Sequence, residues 1–241
     1  MVNASARSGL WPHFLHALKP GHSQFCLLCE ASSINTLCPG CRQDLPWNHS
    51  RCQRCALPLP DAASLCASCG EQPPRQSSAI APLRYEFPVD HLVAGLKYHR
   101  HLENAPLLGQ LLLEAVKDQP APDLLLPVPL HRQRLAERGY NQALEIARPL
   151  ARHFRRPLEI HLLQRTRATA AQMTLNAEAR RRNPHGAFAL DAERLRTLGQ
   201  VQSVALIDDV MTTGATLTEI ARLLNRAGIK DIRFWVVART P

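Results

Sequence analysis

The chain of 241 residues has few aromatic side chains, 5% of the whole, and only 4 lysines beside 25 arginines. Its last 172 residues hold no cysteine. Long apolar runs are missing too: the longest, Leu124 to Leu130, is seven residues and contains two prolines. A helix crossing a bilayer needs about 20 apolar residues, so no membrane span is expected. The stretch MVNASARSGLWPHFLHALKP has no clean apolar core, because Pro12, His13 and His16 interrupt it. It is therefore not read as a secretory signal, and a soluble cytoplasmic protein is expected. The phosphate loop G-x-x-x-x-G-K is absent, which excludes a Walker-type nucleotide site. The scarce aromatics leave few platforms on which unpaired bases can stack. Hydrophobic residues, by contrast, make up 45% and charged ones 20%, which is enough for a real core and excludes wholesale disorder.

The formal net charge is +9, and it is unevenly spread. Residues 131–186 carry 12 Arg against 4 Glu, so +8 of the total sits in one stretch. A solvated basic face is the plain reading of such a stretch. Arginine in place of lysine tilts it toward an anionic partner, because the guanidinium fork suits bidentate phosphate binding.

All eight cysteines fall between Cys26 and Cys69. They form four C-x-x-C knuckles, Cys26/Cys29, Cys38/Cys41, Cys52/Cys55 and Cys66/Cys69, separated by eight, ten and ten residues. One knuckle brings two thiolates to one metal ion, and two knuckles complete a tetrahedral site of four thiolates. Disulfides do not suit a chain without a secretion signal. A redox pair would need one C-x-x-C on a strand–helix–strand unit, and iron–sulfur proteins use other spacings. Two structural zinc ions are expected, with no open position for catalysis. Sequential pairing gives two compact ribbons and interleaved pairing a cross-brace; the short, similar loops favour the first. The ribbon segment has few large apolar residues, so metal must supply its stability. Two zinc centres, each held by four thiolates, would take the net charge from +9 to about +5.

Four segments are expected: a short helix within 1–22, a double zinc ribbon over 23–72, a linker over 73–82 rich in Pro, Ser and Gln, and a second domain over 83–241. That domain alternates strands and helices. Strands are expected at Leu83–Phe87, Leu124–Val128, Leu158–Leu163, Val204–Ile207 and Phe234–Val237. Helices are expected at Val89–Tyr98, Glu103–Lys117 and Gln142–Phe154, with a break or kink where Pro149 sits inside the last. Leu217, Ile220, Ala221 and Leu224 follow helical spacing, with Gly228 as the stop. Buried strands alternating with helices point to a parallel α/β sheet.

The sharpest segment is VALIDDVMTTGAT, Val204 to Thr216. A buried strand delivers Asp208 and Asp209 at its carboxyl end, where such sheets bind ligands. Gly214 lets backbone come close to a ligand. The amides of Thr212 to Thr216 open a helix, which makes an anion site. Carboxylates beside a phosphate cradle suit a sugar phosphate, with the ribose hydroxyls on the acids and the 5′-phosphate in the loop. An acidic magnesium pocket with an ordinary helix cap is the plainer reading, but it leaves T-T-G-x-T unexplained.

This segment resembles the phosphoribosyl-pyrophosphate (PRPP) motif of type I phosphoribosyltransferases. The chain from about residue 23 onward resembles one branch of them, the ComF (GntX-like) competence-protein family. The matching residues are the four knuckles, Tyr85, Leu96-Lys97-Tyr98, Pro127-Val128-Pro129, Arg134 and R-G-Y-N-Q at Arg138 to Gln142. Arg165, Thr169, Gln172, Leu175 and R-R-N-x-x-G-A-F at Arg181 to Phe188 follow. Tyr140 stands where the family is expected to have Phe, and Pro184 where an aliphatic residue is usual. The resemblance implies a type I phosphoribosyltransferase-like parallel sheet flanked by helices, preceded by a small double zinc-ribbon domain. It implies PRPP binding, with Mg2+, at Asp208, Asp209, Met211, Thr212, Thr213, Gly214, Ala215 and Thr216. It implies a pyrophosphate loop at Pro129 to Arg134 and a closing loop at Arg165 to Arg182. Arg134, Arg138, Arg165, Arg180 and Arg182 are the candidate phosphate ligands.

Two functions are then expected in competition. In one, the protein binds PRPP and assists the handling of internalised single-stranded DNA in natural transformation, with a competence helicase or other DNA-uptake proteins as further partners. In the other, it transfers phosphoribose from PRPP to a nucleobase or amine acceptor in salvage metabolism. The acceptor is not written in the motif, because acceptor choice lies in a variable hood.

Overall fold

The computed structural model describes residues 24–60, 64–167 and 184–241. The helix expected within 1–22 lies outside them, as do Arg180, Arg182 and all of the expected closing loop beyond Arg167. The chain divides into two compact units, one ending at Asp44 and one running from Leu45 to Pro241.

In the first unit, β1 (Gln24–Phe25) pairs antiparallel with β2 (Ser32–Ser33), and α1 (Pro39–Gln43) follows. Pro39 opens this helix, where a missing N–H costs nothing. Cys38 caps it, its sulfur accepting from the Cys41 amide at 3.4 Å.

The second unit is built on a parallel sheet. Its path runs β3 (Ser78–Ile80), β9 (Asp231–Arg239), β8 (Ser203–Met211) and β5 (Leu124–Pro127), with β4 (Leu83–Arg84) also on β9. All these pairings are parallel. Ser78–Ile80 falls in the stretch read as linker, yet it is an edge strand with Ala79, Ile80 and Ala81 buried. Its Pro, Ser and Gln neighbours mask a short apolar core that only β9 reveals. The expected strand at Leu158–Leu163 is also different. Leu158 makes a single parallel bridge to Leu125, and the strand proper, β6 (Leu163–Arg165), pairs antiparallel with β7 (Phe188–Leu190) away from the main sheet.

Among the described residues of this unit there are seven helices. They are α2 (Ala67–Glu71), α3 (Val89–Tyr98), α4 (Asn104–Val116), α5 (Arg132–Arg138), α6 (Gln142–Phe154), α7 (Ala192–Thr197) and α8 (Ala215–Arg226). Of these, α4, α6 and α8 pack on the sheet. Helix α8 buries Leu217, Ile220, Ala221 and Leu224, the stripe expected from spacing. Helix α6 does not break at Pro149. The Pro149 ring lies against bare backbone at Gly109 of α4, where a Cβ would come within 2.7 Å of the ring and 2.6 Å of the Ile146 carbonyl. Glycine thus lets the two helices approach closely.

Among the described residues no helix is long and apolar enough to cross a membrane.

Candidate functional site

Strand β8 is buried almost throughout, as a central parallel strand must be. It does not stop at Ile207, as its apolar run suggests, but continues through both acids to Met211. The ladder to β9 carries it: Asp208 lies opposite Val236 and Met211 opposite Arg239. Side chains alternate along a strand, so the two acids face opposite ways. Asp208 lines a pocket with Met211, Thr212, Gly214 and Thr216. Asp209, 2% exposed, pairs with Lys97 of α3, Oδ1 to Nζ at 2.6 Å. The same Oδ1 accepts from the Val210 amide. Its other oxygen, Oδ2, is buried with no partner among the described residues. An orphaned carboxylate oxygen of this kind fits a hydroxyl donor or a cation.

Burial, and then the charge of Asp209, push the Asp208 carboxyl up to about 7; the Lys97 ammonium pulls the other way. For Lys97, burial opposes the charge, but contact with Asp209 outweighs it and the ammonium is held above its usual range. The free site therefore already contains one cation. Lys97 owes its position to α3, whose Leu96 carbonyl accepts from the Tyr140 hydroxyl at 2.5 Å. A phenylalanine at 140 would lack that bond.

The loop after β8 turns at Gly214, where φ is +74° and only glycine is at ease. The Thr213 hydroxyl accepts from the Ala215 amide at 3.4 Å, and Thr218 N–H donates to the Gly214 carbonyl at 2.9 Å. The first turn of α8 has no acidic side chain. A helix N-terminus so arranged attracts an anion.

The R-G-Y-N-Q motif is explained largely by local structure. Gly139 ends α5 in the left-handed conformation and Asn141 caps α6, accepting from the Ala143 amide at 3.0 Å. The Asn141 amide also donates to the Val128 carbonyl at 3.0 Å, tying α6 to the end of β5. Arg138 donates to buried Gln142. Arg134 lies on α5 and Arg165 on β6, stacked 5.4 Å over the Phe188 ring. Burial and then the Arg134 charge hold the Arg165 guanidinium below its usual range, while Asp208 opposes them. Asp208, Asp209, Lys97, Arg165 and Arg134 thus share one electrostatic neighbourhood, and Arg138 is engaged with Gln142. Of the segment expected as a pyrophosphate loop, Pro129 to Arg134, only Pro129 to His131 is loop; Arg132 to Arg134 already form the first turn of α5, which His131 caps. Glu219 of α8 binds Arg222 at 2.7 and 2.9 Å and the Gly186 amide at 2.9 Å, which fixes the chain just before β7.

The eight cysteines gather as Cys26, Cys29, Cys38, Cys41 and as Cys52, Cys55, Cys66, Cys69, the sequential pairing. In each group the four sulfurs lie within 4.8 Å of one another. Sulfurs on a tetrahedral zinc at about 2.3 Å stand about 3.8 Å apart. Cys29 to Cys38 and Cys55 to Cys66 are both 3.7 Å. Burial raises the Cys26 and Cys52 thiols, but surrounding backbone amides outweigh it and bring them down to about 6 and about 7. Cys41 is pushed well up by the sulfurs of Cys29 and Cys38. Four crowded sulfurs cannot all ionise without a cation, and zinc fits both groups.

Sequence reasoning did not assign a role to two basic residues. Lys97 was visible only as part of a motif. Arg239, at the end of β9, gave no signal.

Residues 14–72 match the Double zinc ribbon domain family and residues 141–241 the Phosphoribosyl transferase domain family. The chain is 36% identical over 228 residues to the DNA utilization protein YhgH of Escherichia coli O157:H7, covering 91% of this chain and 92% of the relative. It is 34% identical over 227 residues to the protein of that name from Salmonella typhi, covering 92% and 98%. It is 32% identical over 223 residues to Competence protein F of Haemophilus influenzae, covering 89% and 96%. The expected architecture, a helix-flanked parallel sheet of phosphoribosyltransferase type preceded by a double zinc ribbon, agrees with both the domain matches and the fold.

Proposed function

The chain belongs to the family of the DNA utilization protein YhgH and Competence protein F, and from this premise we propose that it binds PRPP at the end of β8 and assists the handling of internalised single-stranded DNA. The carrying observation is the run from Asp208 to Thr216: a half-buried acid lining a pocket that ends on a helix N-terminus free of acidic side chains in its first turn. In this reading the amides and hydroxyls of Thr212, Thr213, Gly214, Ala215 and Thr216 hold the 5′-phosphate. Asp208 accepts from a ribose hydroxyl. Asp209, paired with Lys97 on the other face of β8, backs that strand end from behind the pocket. Arg134 and Arg165 face the pyrophosphate; Arg180 and Arg182, outside the described residues, are its remaining candidate ligands. Mg2+ bound with PRPP would neutralise charge on the leaving pyrophosphate, with Asp208 as the acid available to it.

The DNA part is supported by the relatives' names and by the +8 within residues 131–186. Uptake proteins such as a competence helicase are the matching protein partners, and the cytoplasm is the matching compartment. The second reading, phosphoribosyl transfer to a nucleobase or amine acceptor, is favoured by the match of residues 141–241 to the Phosphoribosyl transferase domain family.

Calorimetric titration of PRPP, with and without Mg2+, tests the first step. Saturable binding is expected, weakened at least tenfold in Asp208→Asn/Asp209→Asn. No heat at millimolar PRPP would sink it. Fluorescence anisotropy with labelled single-stranded DNA tests the second. Log K should fall with log salt at about −0.7 per phosphate contact, and Arg180, Arg181 and Arg182 changed together to Ala should make that slope shallower by about 2. PRPP should compete with the DNA. Pyrophosphate release from PRPP with an acceptor present would favour the transferase reading.

A further inference from the structure

Strand β9 ends on a side chain with five acceptor atoms around it, four backbone carbonyls and the Thr240 hydroxyl at 3.1 Å. Arg239 is 9% exposed. Its Nη1 donates to the Met211 carbonyl at 3.2 Å, the Thr240 carbonyl at 2.6 Å and the Thr212 carbonyl. Its Nε donates to the Cys55 carbonyl at 3.3 Å. Met211 and Thr212 open the phosphate loop. Cys55 is one of the four sulfurs of the second zinc group. One rigid guanidinium therefore joins the loop and the knuckle through backbone atoms on both sides. A lysine has a single point of donation and cannot span them in this way.

The surrounding bonds make the junction stiff. Thr240 N–H donates to the Met211 carbonyl at 3.2 Å, and Tyr85 N–H donates to the Arg239 carbonyl at 2.9 Å. On the knuckle side, Cys52 N–H donates to the Leu57 carbonyl and Ala56 N–H to the Cys52 carbonyl, at 2.9 and 2.8 Å. The Asn48 amide donates to the carbonyls of Ala56 and Ala81, at 2.9 and 3.1 Å. A knuckle that loses its metal loses the constraint on Cys55, and Arg239 then has no fixed anchor on that side. The cost falls on the Met211 and Thr212 carbonyls, whose donor is no longer held in place.

We propose that Arg239 is a positioning residue that couples the second zinc group to the phosphate loop, so that metal at Cys52, Cys55, Cys66 and Cys69 keeps Met211–Thr216 ordered for PRPP. Only the last step rests on the PRPP reading. Coupling between two sites is reciprocal. If metal orders the loop for PRPP, bound PRPP must raise the affinity for that metal by the same factor.

Hydrogen exchange read by mass spectrometry on the full chain tests the coupling without PRPP. Peptides spanning the loop are compared in zinc-loaded wild type, in Arg239→Met, in Arg239→Lys and in wild type after chelation. Loop exchange should rise at least tenfold in Arg239→Met and after chelation, with partial return in Arg239→Lys. Exchange in α4 should stay unchanged. Unchanged loop exchange after chelation overturns the coupling, as does a rise equal to that in α4, which would mean general unfolding. If Arg239→Met does not fold, the chelation arm decides alone.

PRPP affinity is measured separately by calorimetry. Where PRPP binds, it should raise zinc affinity, read by equilibrium competition with a chromogenic chelator, at least threefold in wild type and not in Arg239→Met. Binding without such a rise overturns the link to PRPP. No PRPP binding, with loop exchange still responding to chelation, overturns the PRPP reading and leaves the zinc–loop coupling standing.

Discussion

The two zinc groups have nearly the same spacing in sequence and different structural surroundings. The first, Cys26 to Cys41, lies in a unit that ends at Asp44. Among its described residues Phe25 is 75% and Ile34 83% exposed, and Leu37 and Cys26 are buried. The second, Cys52 to Cys69, lies in the same compact unit as the sheet. Cys52 is 0% exposed and Ala56 joins the main core. The Gln76 amide donates to the Arg54 carbonyl at 2.8 Å, and Ala79 N–H donates to the Gln53 carbonyl. The same ligand pattern therefore serves as a self-contained module in one case and as part of a domain wall in the other. Metal should matter only within the ribbon in the first case, and in the second also for the strand ends and loop bonded to the knuckle.

The largest expected effect comes from where the chain is cut. A chain of residues 45–241 should keep a single cooperative transition. A chain of residues 76–241 loses Asn48, Ala56 and the second zinc group, and it exposes one face of the β3 edge. It should lose on the order of 3–5 kcal/mol, or roughly 10 °C in melting temperature by calorimetry. Equal stability of the two pieces would break the comparison.

Changing Lys97 to Met comes next. It leaves Asp209 buried beside no cation, which costs about 3 kcal/mol. Denaturant unfolding should show the loss in the unit that holds the sheet, while the zinc content of the chain stays the same. A neutral result would mean that the ion pair does not hold the acid.

A smaller effect is the pH dependence of Asp208. Its folded value, about 7, lies above that of a free carboxyl. The stability linked to it is therefore present at low pH and lost as pH rises through about 7. Asp208→Asn should stabilise the empty protein at pH 8 by about 1–2 kcal/mol. PRPP affinity has the opposite sign. If the carboxylate accepts from ribose, affinity should rise about tenfold more from pH 6 to pH 8 in wild type than in the variant, where only the phosphates of PRPP titrate. Equal profiles in the two would show that Asp208 does not meet the sugar as an anion.

The sequence was most legible where function is local along the chain. Cysteine spacing and V-A-L-I-D-D-V-M-T-T-G-A-T name their own partners within a few residues. The stripe of α8 was equally plain. Elements that depend on distant neighbours were harder. Asp208 and Asp209 look like the end of a strand because they are charged, but pairing with β9 carries the ladder past them. Ser78–Ile80 looks like a linker until β9 is beside it. Pro149 looks like a break until Gly109 makes room for it. Lys97 and Arg239 are ordinary basic residues in sequence. Their roles come from Asp209 and Cys55, which the fold brings to them.

The most direct test of the account is the PRPP affinity of two single-cysteine variants, Cys29→Ser in the first zinc group and Cys66→Ser in the second, measured by calorimetry beside wild type. The account predicts that Cys29→Ser binds PRPP within twofold of wild type and that Cys66→Ser binds at least tenfold more weakly. Equal affinities in the two variants would contradict it.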